Sequence, residues 1–141
     1  MQSALEKVRC FHQAIGAPVG PVGQLLPTAR FAVEQAAQLR DMVLHCRQHS
    51  IAANDLLARL SLSLEELAEW VEAHVDQDFT AVADALGDRL YVLLGDAVAV
   101  GCPLDEVFEA VHASNMTKVL SGVDLCGKAM KGAGYQPPRL N

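Results

Sequence analysis

Five carboxylates in the middle of the chain are spaced so that they could hold a cation. Glu65, Glu66 and Glu69 fall in the run SLEELAEWVEA, and Asp84 and Asp88 in the run VADALGDRLYV. On a helical wheel at 100° per residue, Glu65, Glu69 and Glu72 share a sector of about 60°, with Glu66 some 60° beyond Glu69. Asp84, Asp88, Tyr91 and Gly95 recur at i, i+4, i+7 and i+11 and share one narrow stripe of the next helix. Taken alone, any one of these glutamates reads as part of a solvated face. The second helix changes that weighing. Leu86, Leu90, Leu93, Leu94 and Ala97 lie beside its aspartate stripe, Val92 and Val98 flank it, and a helix apolar nearly all round is expected to be buried. A buried carboxylate costs several kcal/mol unless a cation or donors compensate it, and facing carboxylates repel. Magnesium or manganese is the economical counter-ion, because an all-oxygen donor set suits them and no Cys or His intrudes to favour zinc.

The elements that must position these acids can be read from the Gly and Pro clusters, which cut the chain into helical pieces with few alternating β-branched runs. An all-α bundle of four to five helices is expected. Residues 2–14 form a short amphipathic piece with Leu5, Val8 and Phe11 at helical spacing, and the Gly- and Pro-rich segment 16–27 is a loop. A second helix runs from a Thr28 cap to about His49, with Phe31, Ala32, Gln35, Leu39, Met42, Val43 and Cys46 on its apolar stripe. A third starts at an Asn54 cap and carries Leu57, Leu60, Leu64, Leu67, Val71 and Val75. Ser63 and Glu66 stand at capping-box spacing, so a break near 61–63 is open, with helix from Glu65 onward in either case. Thr80 is expected to cap a fourth helix that stops at Gly101, and Pro103 to open a fifth that Gly122 closes. A short turn around 76–79 makes the third and fourth helices antiparallel neighbours and sets the glutamates opposite Asp84 and Asp88. The tail beyond Gly122 holds too much Gly and Pro for another helix.

Bulk composition narrows the function classes. The chain has 141 residues, 17 acidic against 11 basic side chains, and a net charge of −6, so polymeric nucleic acid and anionic membrane surfaces are poor partners. One domain over residues 1–141 is expected, with no repeat. Charges within the first ten residues argue against a secretory signal, and Asp84, Asp88, Arg89 and Asp96 argue against a membrane span in the most apolar stretch. The four cysteines show no CxxC spacing and read as reduced thiols of a cytoplasmic protein.

Glu65-Glu66-x-x-Glu69 followed by DALGDRLYV resembles the EExxE and ExxD signature of the all-α nucleoside triphosphate pyrophosphohydrolases, the MazG-like and phosphoribosyl-ATP pyrophosphohydrolase-like superfamily. The runs FHQAIGAP, VFEAVHASNMTK and GKAMKGAGYQPPRL are similar to segments of the phosphoribosyl-ATP pyrophosphohydrolase-like branch, in the same order. One departure is clear: the signature puts an acid at position 85, where this chain has Ala85, with Asp84 one residue earlier. The resemblance implies Mg²⁺- or Mn²⁺-dependent hydrolysis of a nucleoside triphosphate, (d)NTP, to the monophosphate and pyrophosphate, as in control of a nucleotide pool. Phosphoribosyl-ATP is the alternative substrate, and a catalytically silent binding module, which Ala85 keeps open, is the competing class. It further implies Glu66, Glu69 and Asp88 as metal ligands, with Glu65 and Asp84 next, and Glu65 or Glu66 as the general base. Asn115 and Lys118 would contact substrate, though Lys118 could instead offset the last carbonyls of its helix. Lys128 and Lys131 could close over the phosphates or stay disordered until substrate binds, and Tyr91 on the aspartate stripe is a further candidate contact. A homodimer or homotetramer is implied as well, in keeping with a fourth helix too apolar to be covered by one set of helices.

Two weaker constellations stand beside these. Glu109-x-x-His112 has the spacing of di-iron carboxylate bundles, which need two such pairs. His45 and His49 are placed for zinc but lack an evident third ligand. Trp70, on the glutamate helix, reads as a core or interface residue before a base-stacking one.

Overall fold

The computed structural model describes residues 2–28, 30–49 and 55–140. Among these the architecture is all-α: α1 (Gln2–Ile15), α2 (Ala32–His49), α3 (Asp55–Val75), α4 (Phe79–Val100) and α5 (Leu104–Met116), with a single 3₁₀ turn at Val119–Ser121 and no strand. Contacts fall into two compact units, Val22–Gly101 and Met1–Pro21 with Cys102–Asn141.

In the first unit α3 packs on α2 and on α4. Its centre is Val43, Cys46 and Leu64, with Leu39 and Leu57 against them. Small residues line the helix crossings: Ala32 and Ala36 on α2, Ala68 (0% exposed) and Ala73 on α3, Ala85 on α4. Small side chains at such positions let packed helices approach one another. At the far end Arg59 of α3 lies across α4, donating from Nη2 to the Val92 carbonyl at 2.6 Å and from Nε to Asp96 at 2.5 Å. Gly95 makes room for it, since a Cβ there would stand 2.6 Å from Arg59 Nη2.

Several boundaries depart from the sequence expectation. Helix α2 starts at Ala32 and not at Thr28, because the Phe31 carbonyl accepts the first helical bond, from Gln35 at 3.0 Å. Helix α3 passes through 61–63 without a break, and the proposed Asn54 cap lies outside the described residues. The cap of α4 is Asp78, whose Oδ1 accepts from the amides of Thr80 (2.9 Å) and Ala81 (3.1 Å), so Thr80 sits inside the helix. Its stop is Gly101 as expected, with φ 64° in the left-handed region that glycine enters without strain.

The largest correction concerns α4, which was expected to be buried. Only Val82 and Ala85 are buried; Leu86, Leu93 and Leu94 are exposed, as are Tyr91 (79%) and Val98 (80%). A single chain offers α4 one main partner, α3, which covers one stripe of a helix that is apolar on most sides.

In the second unit α5 packs on α1, and Lys7 pairs with Glu109. Helix α5 ends at Met116, short of Gly122: the Thr117 hydroxyl donates to the Ser114 carbonyl at 2.7 Å and the chain tightens into the 3₁₀ turn. The tail then closes a loop in which Asp124 Oδ1 accepts from the amides of Cys126 and Lys128, both at 2.9 Å, with a bridge between Val123 and Ala129. Among the described residues no helix is long and apolar enough to cross a membrane.

Candidate metal and phosphate sites

Helix α3 presents its glutamates to two different neighbours. Toward α2, Arg40 takes Glu72 with both arms of its fork, Nε to Oε1 at 3.0 Å and Nη2 to Oε2 at 2.6 Å, and Nη2 stands 3.6 Å from Glu69. Arg47 Nη2 donates to Glu65 at 2.7 Å. These two arginines were missed in the sequence, yet a signal existed. Arg40 and Arg47 are seven residues apart on α2, Glu65 and Glu72 seven apart on α3, and antiparallel packing pairs them in one register.

Toward α4 the picture inverts. Glu66 Oε2 is shut off from solvent and has no hydrogen-bond partner among the described residues. Burial raises the proton affinity of the Glu66 carboxyl above the ordinary glutamate value; the charges of Glu69, Asp88 and Glu65 raise it further, and Arg40 opposes them. Glu69, Asp88 and Glu65 thus all act on Glu66 as like charges. Beside it, Glu69 and Asp84 line an open cavity of about 260 Å³, together with Glu72, Asp76, Asp78 and Ala85. Asp76 and Asp78 come from the turn that connects α3 and α4.

Asp84 and Asp88 are exposed, so the carboxylate oxygen that is sealed without a partner belongs to half-buried Glu66 and not to Asp88. The reason is the uncovered state of α4: desolvation falls on α3, which is packed on both sides. Tyr91 is exposed and does not line the cavity. Ala85, at the position where the signature carries an acid, is 4% exposed against the cavity wall.

A divalent cation fits the chemistry of this group. Its donors are all carboxylate oxygens, and one of them is sealed and unpartnered, a state that a hard cation relieves. Among the described residues no three of His, Cys, Asp and Glu converge tightly enough to form a coordination shell; the arginines hold Glu65 and Glu72 turned toward α2. The two alternative metal constellations are used otherwise. Glu109 is paired with Lys7, His112 stacks on Phe108, and His49 Nδ1 lies 2.8 Å from the His45 carbonyl oxygen. Trp70 lies under the Arg89 guanidinium, 5.0 Å from its ring centre, and edge-on to His74.

The remaining candidates belong to the α5 unit. Lys118 Nζ donates to Asn115 Oδ1 at 2.6 Å, in place of the expected alternative of helix carbonyls. Lys118 and Lys131 both stand over the ring of Tyr135, an aromatic that no spacing in the sequence singles out. Lys128 is exposed on the 124–128 loop.

The sequence model of the family described as phosphoribosyl-ATP pyrophosphohydrolase matches residues 33–115. The match runs from the start of α2 to Asn115 near the end of α5, so it includes all five acids and leaves Lys118, Lys128 and Lys131 outside. No curated protein and no solved structure matches the chain significantly.

Proposed function

Because the chain belongs to the phosphoribosyl-ATP pyrophosphohydrolase family, a family of MazG-like all-α pyrophosphohydrolases, we propose that it hydrolyses a nucleoside triphosphate between the α and β phosphates, using Mg²⁺ or Mn²⁺. The observation that carries this reading is the sealed, unpartnered Oε2 of Glu66 amid Glu65, Glu69 and Asp88. A carboxylate cluster repels a polyphosphate unless cations stand between them. Glu66, Glu69 and Asp88 would hold the ion, with Glu65 and Asp84 at its margin. A divalent ion held there would supply positive charge against the phosphates and lower the pKa of water.

The chain's own residues divide the remaining work. Arg40 occupies both oxygens of Glu72 and so keeps that carboxylate out of the ligand set, while Glu69 at 3.6 Å stays free to turn. Glu65 or Glu66 takes the proton from the attacking water. Within the α5 unit, Lys118, Lys128 and Lys131 are the proposed phosphate contacts and Asn115 a contact to sugar, base or phosphate; Tyr91 is a proposed substrate contact. The exposed apolar side chains of α4 support a homodimer or homotetramer, read by light scattering. The free thiols suit the cytoplasm.

The family model's description favours a second substrate, phosphoribosyl-ATP, which offers the same triphosphate to the same chemistry. A panel of each (d)NTP and phosphoribosyl-ATP with Mg²⁺ or Mn²⁺ separates the two. Pyrophosphate appearing with the matching monophosphate is the expected result, and the preferred substrate is the one with the higher kcat/KM. Orthophosphate with a diphosphate would overturn α–β cleavage, and no product with any metal would leave a silent bundle.

A further inference from the structure

Positive charge converges in the α5 unit much as negative charge does around Glu66. Lys118 Nζ stands 5.5 Å and Lys131 Nζ 4.7 Å from the centre of the Tyr135 ring. The two ammoniums therefore stand no more than about 10 Å apart, on the order of one Debye length at about 0.1 M salt. Neither has a carboxylate partner among the described residues. The hydrogen bond of Lys118 goes to the neutral Asn115 amide oxygen, and the ion pair of this unit is Lys7 with Glu109. An aromatic face attracts both cations but leaves their charge uncancelled.

The ring is held by the helix end. Ser114, 5% exposed, donates from Oγ to the Gln136 carbonyl at 2.6 Å, and the Gln136 amide donates to Thr117 Oγ1 at 3.0 Å. Ser114 and Thr117 belong to the same turn as Asn115 and Lys118, so the helix end that presents Lys118 also fixes Tyr135. On the other side the Tyr135 amide donates to the Gly132 carbonyl at 3.0 Å. Gly132 lies so close to Ser121 that a Cβ would stand 2.3 Å from its Oγ, which leaves no room for a side chain next to Lys131.

We infer that Tyr135 is a positioning residue that gathers Lys118 and Lys131 into a binding site for a diphosphate group. Two separated point charges, each a three-donor ammonium, match two linked phosphates better than one. The inference rests on the proposed hydrolysis for its source of ligand, since the diphosphate is the part of the substrate released as pyrophosphate.

Calorimetric titration of the full chain in EDTA with inorganic pyrophosphate, and in parallel with orthophosphate, tests it. Pyrophosphate should bind more tightly than orthophosphate. Tyr135→Leu should weaken pyrophosphate binding about tenfold and raise KM more than it lowers kcat, while Tyr135→Phe, which keeps the aromatic face, should stay within about twofold of the wild type. Lys131→Gln, at an exposed side chain, should act as Tyr135→Leu does, with melting temperatures unchanged. A wild-type chain indifferent between the two anions, or a Tyr135→Leu variant that binds like the wild type, would overturn the site. So would a Tyr135→Phe variant as weak as Tyr135→Leu. Glu66→Gln keeps the two readings apart, because it should lower kcat by on the order of 10²–10³ and leave pyrophosphate binding in EDTA intact. Tyr135-dependent binding in a wild-type chain without turnover would sink the hydrolase reading alone.

Discussion

Glu72 and Glu66 lie six residues apart on one helix and live in opposite electrostatic surroundings. Glu72 faces α2, where Arg40 fills both of its oxygens. Glu66 faces other carboxylates, with one oxygen sealed and unbonded. Glu65 and Glu69 fall between, one held by Arg47 at 2.7 Å and the other grazed by Arg40 at 3.6 Å. The residue type is the same throughout, so what separates a structural counter-ion from a candidate ligand is the neighbouring helix. A carboxylate already neutralised by an arginine fork has little to gain from a metal, whereas one opposed by like charges gains most.

The largest effect expected from this contrast is on turnover. Glu66→Gln and Asp88→Asn should each lower kcat by on the order of 10²–10³, the scale set by several kcal/mol of lost transition-state stabilisation, with an unchanged circular dichroism spectrum. Glu72→Gln should stay within about threefold of the wild type, because that carboxylate is committed to Arg40. Equal losses at Glu66 and Glu72 would erase the distinction.

Next comes Ala85→Glu, which restores an acid where the family signature has one. In a buried wall beside the acidic group it should destabilise the chain in EDTA by about 2–3 kcal/mol, through overpacking and an unpaired charge. Millimolar Mn²⁺ should recover much of that loss by mass action. A thermal melt with and without metal reads both, and a loss that metal leaves untouched would place position 85 outside the ion's reach.

A pH titration of stability sharpens the Glu66 end. Its folded-state pKa is raised above the ordinary 4.5, so between those values the folded chain binds more proton than the unfolded one. Stability from this group is then full below the ordinary value and lost as pH rises through the raised one. Metal-free Glu66→Gln should therefore melt above the wild type at pH 7, and the two should converge below about pH 4. The smallest effect belongs to the Glu72 end: Glu72→Gln should cost about 0.5–1 kcal/mol, as expected for a half-exposed ion pair, and should show in a denaturant midpoint.

Much of this was legible in the chain. Helix α4 and its Gly101 stop followed from periodicity and a residue with its own backbone preference. The EExxE spacing placed Glu66 and Glu69 on one helix, and the short turn set that helix against the one that carries Asp84 and Asp88. Boundaries were less legible where two residues competed for one role. Asp78 and Thr80 are both good caps, and the turn through Asp76 and Gln77, whose φ is 58°, brought Asp78 to the amides first. Tyr135 was invisible because nothing local marks an aromatic that two lysines will share.

Sequence alone determined what depends on near neighbours along the chain: helix content, the stops, and which acids share a face, since these follow from dihedral preference and a 3.6-residue period. Tertiary structure decided what depends on distant ones. It assigned arginines to Glu65 and Glu72 and left Glu66 without a partner. It also left α4 exposed, so that the sealed carboxylate oxygen is on α3. Burial and Coulomb energy are set by separation in space, which sequence separation does not encode.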